Sequence, residues 1–154
     1  MYTISGPHRE CGARCEAVLR SLPAWFGIEE AILSYREAID SLDTFLAERA
    51  DGELVGFMSV KRHFEKSAEL YVLAVLEECH RQGVGRELFE ASAAFCRRAG
   101  VEFLQVKTLS SARECDAYAK TRRFYEALGF VPLEEFPSLW GPANPALQLI
   151  RSIG

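Results

Sequence analysis

Leu70–Arg86 reads LYVLAVLEECHRQGVGR and contains the residues that decide the fold. Its first seven residues, Leu70–Leu76, are apolar and of the length of a buried strand. A short polar turn then leads into Gln82-Gly83-Val84-Gly85, which opens a helix. Two glycines at a strand-to-helix junction leave backbone N–H groups uncovered at the positive end of a helix dipole. Such a junction receives phosphate or diphosphate.

Upstream of this stretch, Tyr2–Ile4 reads as a short strand, and helical spacing recurs over Glu10–Leu22 through Cys11, Cys15, Val18 and Leu22. Pro23-Ala24-Trp25-Phe26-Gly27 interrupts the pattern. Ile28–Leu42 resumes it, with Ile28, Ile32, Tyr35 and Ile39 on one stripe. Thr44–Arg49 and Leu54–Lys61 are strands around a hairpin signal, Asp51-Gly52, and Glu69–Leu76 is the next strand. Downstream, the spacing predicts a helix over Val84–Ala99, closed by Arg97-Arg98 and Gly100, and a strand over Phe103–Leu109. A helix over Cys115–Leu128 follows, with Ala117, Thr121, Phe124 and Leu128 inward. Val131–Phe136 and Ala146–Arg151 complete the strands around the turn-rich Pro137–Pro145. This order gives a mixed α/β (α+β type) domain, antiparallel in its first half, with one helix crossover joining parallel strands.

At 154 residues, without repeats or linkers, residues 1–154 form one domain. A net charge of −4 argues against a nucleic-acid partner and mildly favours a cationic acceptor. No apolar run approaches a membrane span and the N-terminus lacks a signal core, so no membrane partner and a cytoplasmic location are expected. The five cysteines form neither a disulfide framework nor a metal motif, and reduced thiols are expected. A homodimer is left open.

The glycine turn admits three ligand readings. A P-loop requires Lys-Ser/Thr after its last glycine, where this chain has Arg86-Glu87. A dinucleotide fingerprint requires a third glycine, where this chain has Leu88. The third reading accommodates the whole segment: His80-Arg81-Gln82-Gly83-Val84-Gly85 resembles the [QR]-x-x-G-x-[GA] signature of the GNAT N-acetyltransferase superfamily. Downstream, Phe124-Tyr125-Glu126-Ala127-Leu128-Gly129-Phe130 resembles the family's FYxxLGF segment. Two departures stand out: His80 occupies a place the family gives to Gln or Arg, and Tyr118 one it often gives to Asn.

The resemblance implies the GNAT fold, a single splayed sheet of about seven strands flanked by about four helices. It also implies acetyl-CoA as co-substrate and direct acetyl transfer to a primary amine in a ternary complex. The amides of Arg81, Gln82, Gly83, Val84, Gly85 and Arg86 would hold the diphosphate. The backbone of Leu73, Ala74 and Val75 would pair with the pantetheine arm, with Tyr118 and Phe124 close to the cofactor. Tyr125 is the expected general acid, because a phenol held close can protonate a leaving thiolate. The base is open between Glu69, Glu77 and His63. Trp25 and Trp140, in the irregular segments, are candidates for facing the acceptor. Arg122 and Arg123 are candidates for the nucleotide end of CoA. The alternative is a non-catalytic acyl-CoA sensor or interaction module, which would keep the glycine loop and have no use for Tyr125.

Overall fold

The computed structural model describes residues 2–154. Seven strands form one sheet in the order β1-β2-β3-β4-β5-β7-β6. The strands are β1 (Tyr2–His8), β2 (Asp43–Arg49), β3 (Leu54–Phe64), β4 (Ser67–Val75), β5 (Phe103–Leu109), β6 (Val131–Phe136) and β7 (Ala146–Ser152). The helices are α1 (Gly12–Arg20), α2 (Glu29–Asp40), α3 (Val84–Arg98) and α4 (Asp116–Ala127). This is the expected mixed α/β sheet with four helices, and the expected strands over Phe103–Leu109 and Val131–Phe136 agree to the residue. None of the helices is long and apolar enough to cross a membrane among the described residues.

Every neighbouring pair of strands is antiparallel except β4 and β5. Those two run parallel and pair only over Ser67–Glu69 against Phe103–Gln105. Beyond Glu69 they diverge, while β4 stays paired to β3 as far as Val75. The result is a wedge, closed at Glu69 and open toward the ends of both strands.

A bulge in β4 turns its side chains at the wedge. Ser59 pairs with Val72 and Val60 with Leu70, so Tyr71 has no partner of its own on β3. The inserted residue shifts the two-residue alternation. Leu70, Leu73 and Val75 therefore pack in the core under α3, whereas Tyr71, Val72 and Ala74 pack toward α1 and α2. The first core holds Leu88, Phe89, Ala93 and Cys96 of α3 with Tyr125, Leu128 and Phe130. The second holds Cys15, Val18, Leu19, Ile32 and Ile39 against Phe57 and Leu46. Phe57, Phe89 and Phe130 are fully enclosed, each contributing about 1.5–3 kcal/mol by burial.

Two expected helix faces differ in detail. Within α4 the one buried residue is Tyr125, and Leu128 just beyond it is buried as expected; Ala117, Thr121 and Phe124 are only half-buried, the last two because they border a cavity. On α2, Ile28 caps the helix and stands 55% exposed, so the buried stripe is carried by Ile32 and Ile39.

Candidate active site

The wedge between β4 and β5 opens into a cavity of about 1120 Å³, bounded by the segment before α2, the loop before α3, and α4. That volume stands at the upper end of small-molecule and cofactor sites, which run to roughly 1,000 Å³.

At one end lies the start of α3. Gly83 caps the helix with φ +85°, in the left-handed region open to glycine, and no side chain caps the helix. The first intrahelical bond runs from Glu87 N–H to Gly83 O, leaving the N–H groups of Val84, Gly85 and Arg86 without helical partners. All three residues line the cavity. Gly85 has a further reason to lack a side chain: a Cβ there would stand 3.0 Å from the Phe124 ring. The glycine turn and the aromatic segment, about forty positions apart, are thus fitted to each other. Arg81, with φ +64°, lines the same end beside Arg86, Lys120 and Arg123, whereas Gln82 turns its side chain outward to Tyr2 Oη and Glu78 O.

Along the wedge, Leu76 donates its N–H to Val55 O on β3. Strand alternation then directs the peptide groups of Val75 and Leu73 the other way, into the gap left by β5, and those of Ala74 toward β3. His80, the residue that departs from the family pattern, bonds through Nε2 to Val75 O at 2.7 Å. Across the gap, Thr108 Oγ1 is buried without a hydrogen-bond partner and its residue lines the cavity.

Tyr125 reaches the cavity from α4. Its ring packs edge-on against Phe124 and Phe130 at centroid distances of 5.3 and 5.7 Å, and it is 6% exposed. The hydroxyl makes no hydrogen bond to another described residue. Burial, with smaller contributions from Tyr118, Tyr35 and Glu69, pushes the phenol well above its usual value, so it keeps its proton.

At the closed end, Glu69 is buried, its Oε1 2.7 Å from His63 Nε2 and 3.3 Å from Lys107 Nζ. Two of the three candidate bases therefore sit together. None of the three lines the cavity: Glu69 and His63 adjoin it through Lys107, which does, whereas Glu77 lies exposed on the short 3-10 turn Glu77–Cys79, which carries it away from the wedge.

Trp25 spans the mouth. Its Nε1–H donates to Ala117 O at 3.1 Å and to Thr121 Oγ1 at 3.0 Å, and its ring stands edge-on to His80 at 5.5 Å. Tyr118 donates its hydroxyl to Trp25 O at 2.6 Å, so that phenol secures the α1–α2 segment. Arg122 is spent on Leu109 O at 2.6 Å, which leaves Arg123 as the cation of that pair facing the cavity. Tyr35, Tyr71, Lys107, Arg113 and Asn144 also line the space, and sequence reasoning passed over all five. Tyr71 had no sequence signal, since only the bulge turns it to this side. Nor does the overall charge of −4 describe the site: Arg81, Arg86, Lys107, Arg113, Lys120 and Arg123 line it, with no Asp or Glu among the lining residues.

Three features suit acetyl-CoA: an uncapped helix start among cations, a free strand edge, and an orphaned buried hydroxyl between them. Comparisons with known proteins agree. An N-acetyltransferase of Chlorobaculum tepidum, itself uncharacterized, is 29% identical over 110 residues, covering 70% of this chain and 64% of that relative. A GNAT-family structure from Desulfovibrio desulfuricans superposes with a TM-score of 0.85 at 19% identity, covering both chains fully. An aminoglycoside 6′-N-acetyltransferase complexed with coenzyme A gives 0.76 at 19% identity, over 99% of this chain and 97% of the other. At such identities the structures show a shared fold. The acetyltransferase (GNAT) domain family matches residues 40–132, which include the β4–α3 turn and the Tyr125 segment. The chain belongs to the GNAT acetyltransferase family.

Proposed function

We propose that the protein is an N-acetyltransferase that uses acetyl-CoA and a primary amine in a ternary complex. The observation that carries this reading is the wedge itself. One cavity joins an uncapped helix start, a free β4 edge and Tyr125, with Lys107, ion-paired to Glu69, at its closed end.

Acetyl-CoA supplies an acetyl group activated as a thioester. The amides of Val84, Gly85 and Arg86, with those of Arg81, Gln82 and Gly83 before them, bind the diphosphate at the positive end of α3. Arg81, Arg86 and Arg123 add charge there. Leu73 presents its N–H and C=O, and Val75 its N–H, to take a pantetheine arm as an added strand, while His80 occupies Val75 O and Ala74 holds the strand in register against Phe57. Phe124 packs on Gly85 and fixes the loop against α4.

Tyr125 donates its proton to the departing thiolate. Its high pKa ensures that the proton is present at neutral pH. Glu69 takes the proton from the amine and hands it through His63, whose side chain is 27% exposed, toward solvent. Tyr118, through its bond to Trp25, holds the acceptor side in shape rather than contacting the thiol. All five cysteines are free and four are buried, which supports a reducing, cytoplasmic setting.

The test is thiol release from acetyl-CoA across an amine panel, beside a direct measurement of acetyl-CoA binding. Amine-dependent release supports the enzyme. Binding without release from any amine overturns it in favour of a non-catalytic acyl-CoA module.

A further inference from the structure

We infer that the acceptor is an amino carboxylate: a small molecule with a primary amine, its own carboxylate and an apolar flank, the carboxylate being held by Lys107. This deepens the acetyltransferase reading above and rests on it.

The charged residues of the cavity separate into two ends. Val75, where β4 leads into the α3 loop, lies about 20 Å from Glu69, six residues at roughly 3.3 Å each. Cations at the α3 and α4 end meet the phosphates of the cofactor. Lys107 stands at the other end, bonded to Glu69 where the parallel ladder stops. It also lies on the opposite face from α3. Leu104 and Val106 pack into the α3 core, so strand alternation turns Lys107 toward the side of Tyr71 and α2. Its charge is thus placed away from the cofactor's phosphates, at the closed end of the wedge on the acceptor side.

Glu69 does not use up this cation. His63 already holds Glu69 Oε1 at 2.7 Å. Lys107 stands at 3.3 and 3.4 Å from the two carboxylate oxygens, longer than the roughly 2.7–2.9 Å of a tight charged bond. An ammonium has three donors, and this side chain is 25% exposed. Lys107 therefore has an N–H to spare in a cavity whose lining contains no Asp or Glu. A polycationic amine would place its additional ammonium groups there without partners and against like charge. An acceptor carboxylate would find one cation waiting and would bring its amine beside Glu69. The same positive charge favours the neutral, nucleophilic form of that amine.

The remaining walls on this face are aromatic and apolar. Trp25, Phe26, Ile28, Tyr35 and Tyr71 line it, with Phe26 edge-on to Tyr35 and Tyr35 edge-on to Tyr71, both at 5.8 Å. An apolar side chain fits against these rings better than a hydroxylated or charged one.

The experiment compares amino acids with the amines left by their decarboxylation: L-phenylalanine with phenethylamine, L-leucine with isopentylamine, and spermidine as the polycation. The readout is kcat/KM for thiol release, with acetyl-CoA affinity measured by calorimetry. One charged hydrogen bond predicts a preference of about ten- to a hundredfold for the carboxylate member of each pair. Lys107→Gln should collapse that ratio toward one, and Lys107→Arg should keep most of it. Equal or better turnover of the decarboxylated amines, or of spermidine, overturns the inference and leaves the acetyltransferase standing. A preference that survives Lys107→Gln overturns the role of Lys107. Acetyl-CoA binding without release from any amine overturns both readings together.

Discussion

The two faces of the wedge are built in different ways. On the α3 face the parts are near one another in the chain: the second part of β4, its turn, the uncapped helix start and the cations Arg81 and Arg86 all fall within Leu70–Arg86. On the α1–α2 face they come from distant places. Trp25 meets Ala117 and Thr121 across 92 and 96 positions, Tyr118 returns to Trp25 across 93, and Lys107 reaches Glu69 across 38. The donor side is thus mostly a local motif, to which the distant α4 adds Phe124 against Gly85. The acceptor side is assembled by tertiary contacts, so specificity can change there without disturbing the donor site.

Substitutions test that division. Tyr125→Phe should lower kcat by about a hundred- to a thousandfold while acetyl-CoA affinity stays within a few-fold, since only a proton donor is removed. Stopped-flow or steady-state thiol release reads the first, and calorimetry the second. The raised phenol pKa also means that Tyr125 produces no alkaline fall in kcat below pH of about 10, so a fall at lower pH that vanishes in Tyr125→Phe would contradict its environment.

Gly85→Val should weaken acetyl-CoA binding by about ten- to a hundredfold, because its side chain enters the 3.0 Å gap to Phe124. Gly83→Val tests the same loop by another route. A Cβ at Gly83 meets nothing within 4 Å, so its loss should come from holding a branched residue at φ +85°. Wild-type affinity in both variants would remove the loop from the donor site.

Effects on the other face should be smaller and fall on the acceptor. Glu69→Gln should lower turnover by about tenfold near neutrality and by less as pH rises, when more amine arrives already neutral. A loss that stays constant with pH would argue against proton acceptance. Trp25→Phe removes the Nε1–H bonds, worth about 1 kcal/mol, and should raise acceptor KM about fivefold with donor affinity unchanged.

The two cores can be compared through their buried thiols. Burial pushes Cys15, in α1, to about 12 and Cys96, in α3, to about 11. Both folded values exceed the unfolded one, near 8.5, so the unfolded chain loses its protons first. Stability is full below that value and falls by about 1 kcal/mol per thiol per pH unit as pH rises from there toward 11. Denaturant melts between pH 8 and 10.5 should show this slope, and Cys15→Ala should flatten it.

Much of the fold was legible because its signals are local. The apolar run of β4, the Asp51-Gly52 hairpin and the Arg97-Arg98-Gly100 ending each fall inside one short window, and the structure bears them out. The donor loop was legible for the same reason. The inward face of α4 holds at Leu128, which is buried, and at Phe124, which packs on the core, but Ala117 and Thr121 stay half-buried on a side that faces Trp25 and the cavity instead of the core. Ile28 likewise continued the α2 stripe by spacing alone, yet it caps the helix in the open.

By itself, the sequence determined the order of elements, the uncapped start of α3 and the presence of a tyrosine suited to act as an acid. These depend on residue type and spacing within a few turns of chain. Tertiary structure alone decided that β4 and β5 part at Glu69, that a bulge turns Tyr71 to the acceptor side, and that Lys107 rather than a carboxylate lines the closed end of the cavity. Those outcomes depend on register between strands and on contacts across distant segments, where a shift of one residue exchanges the faces of a strand.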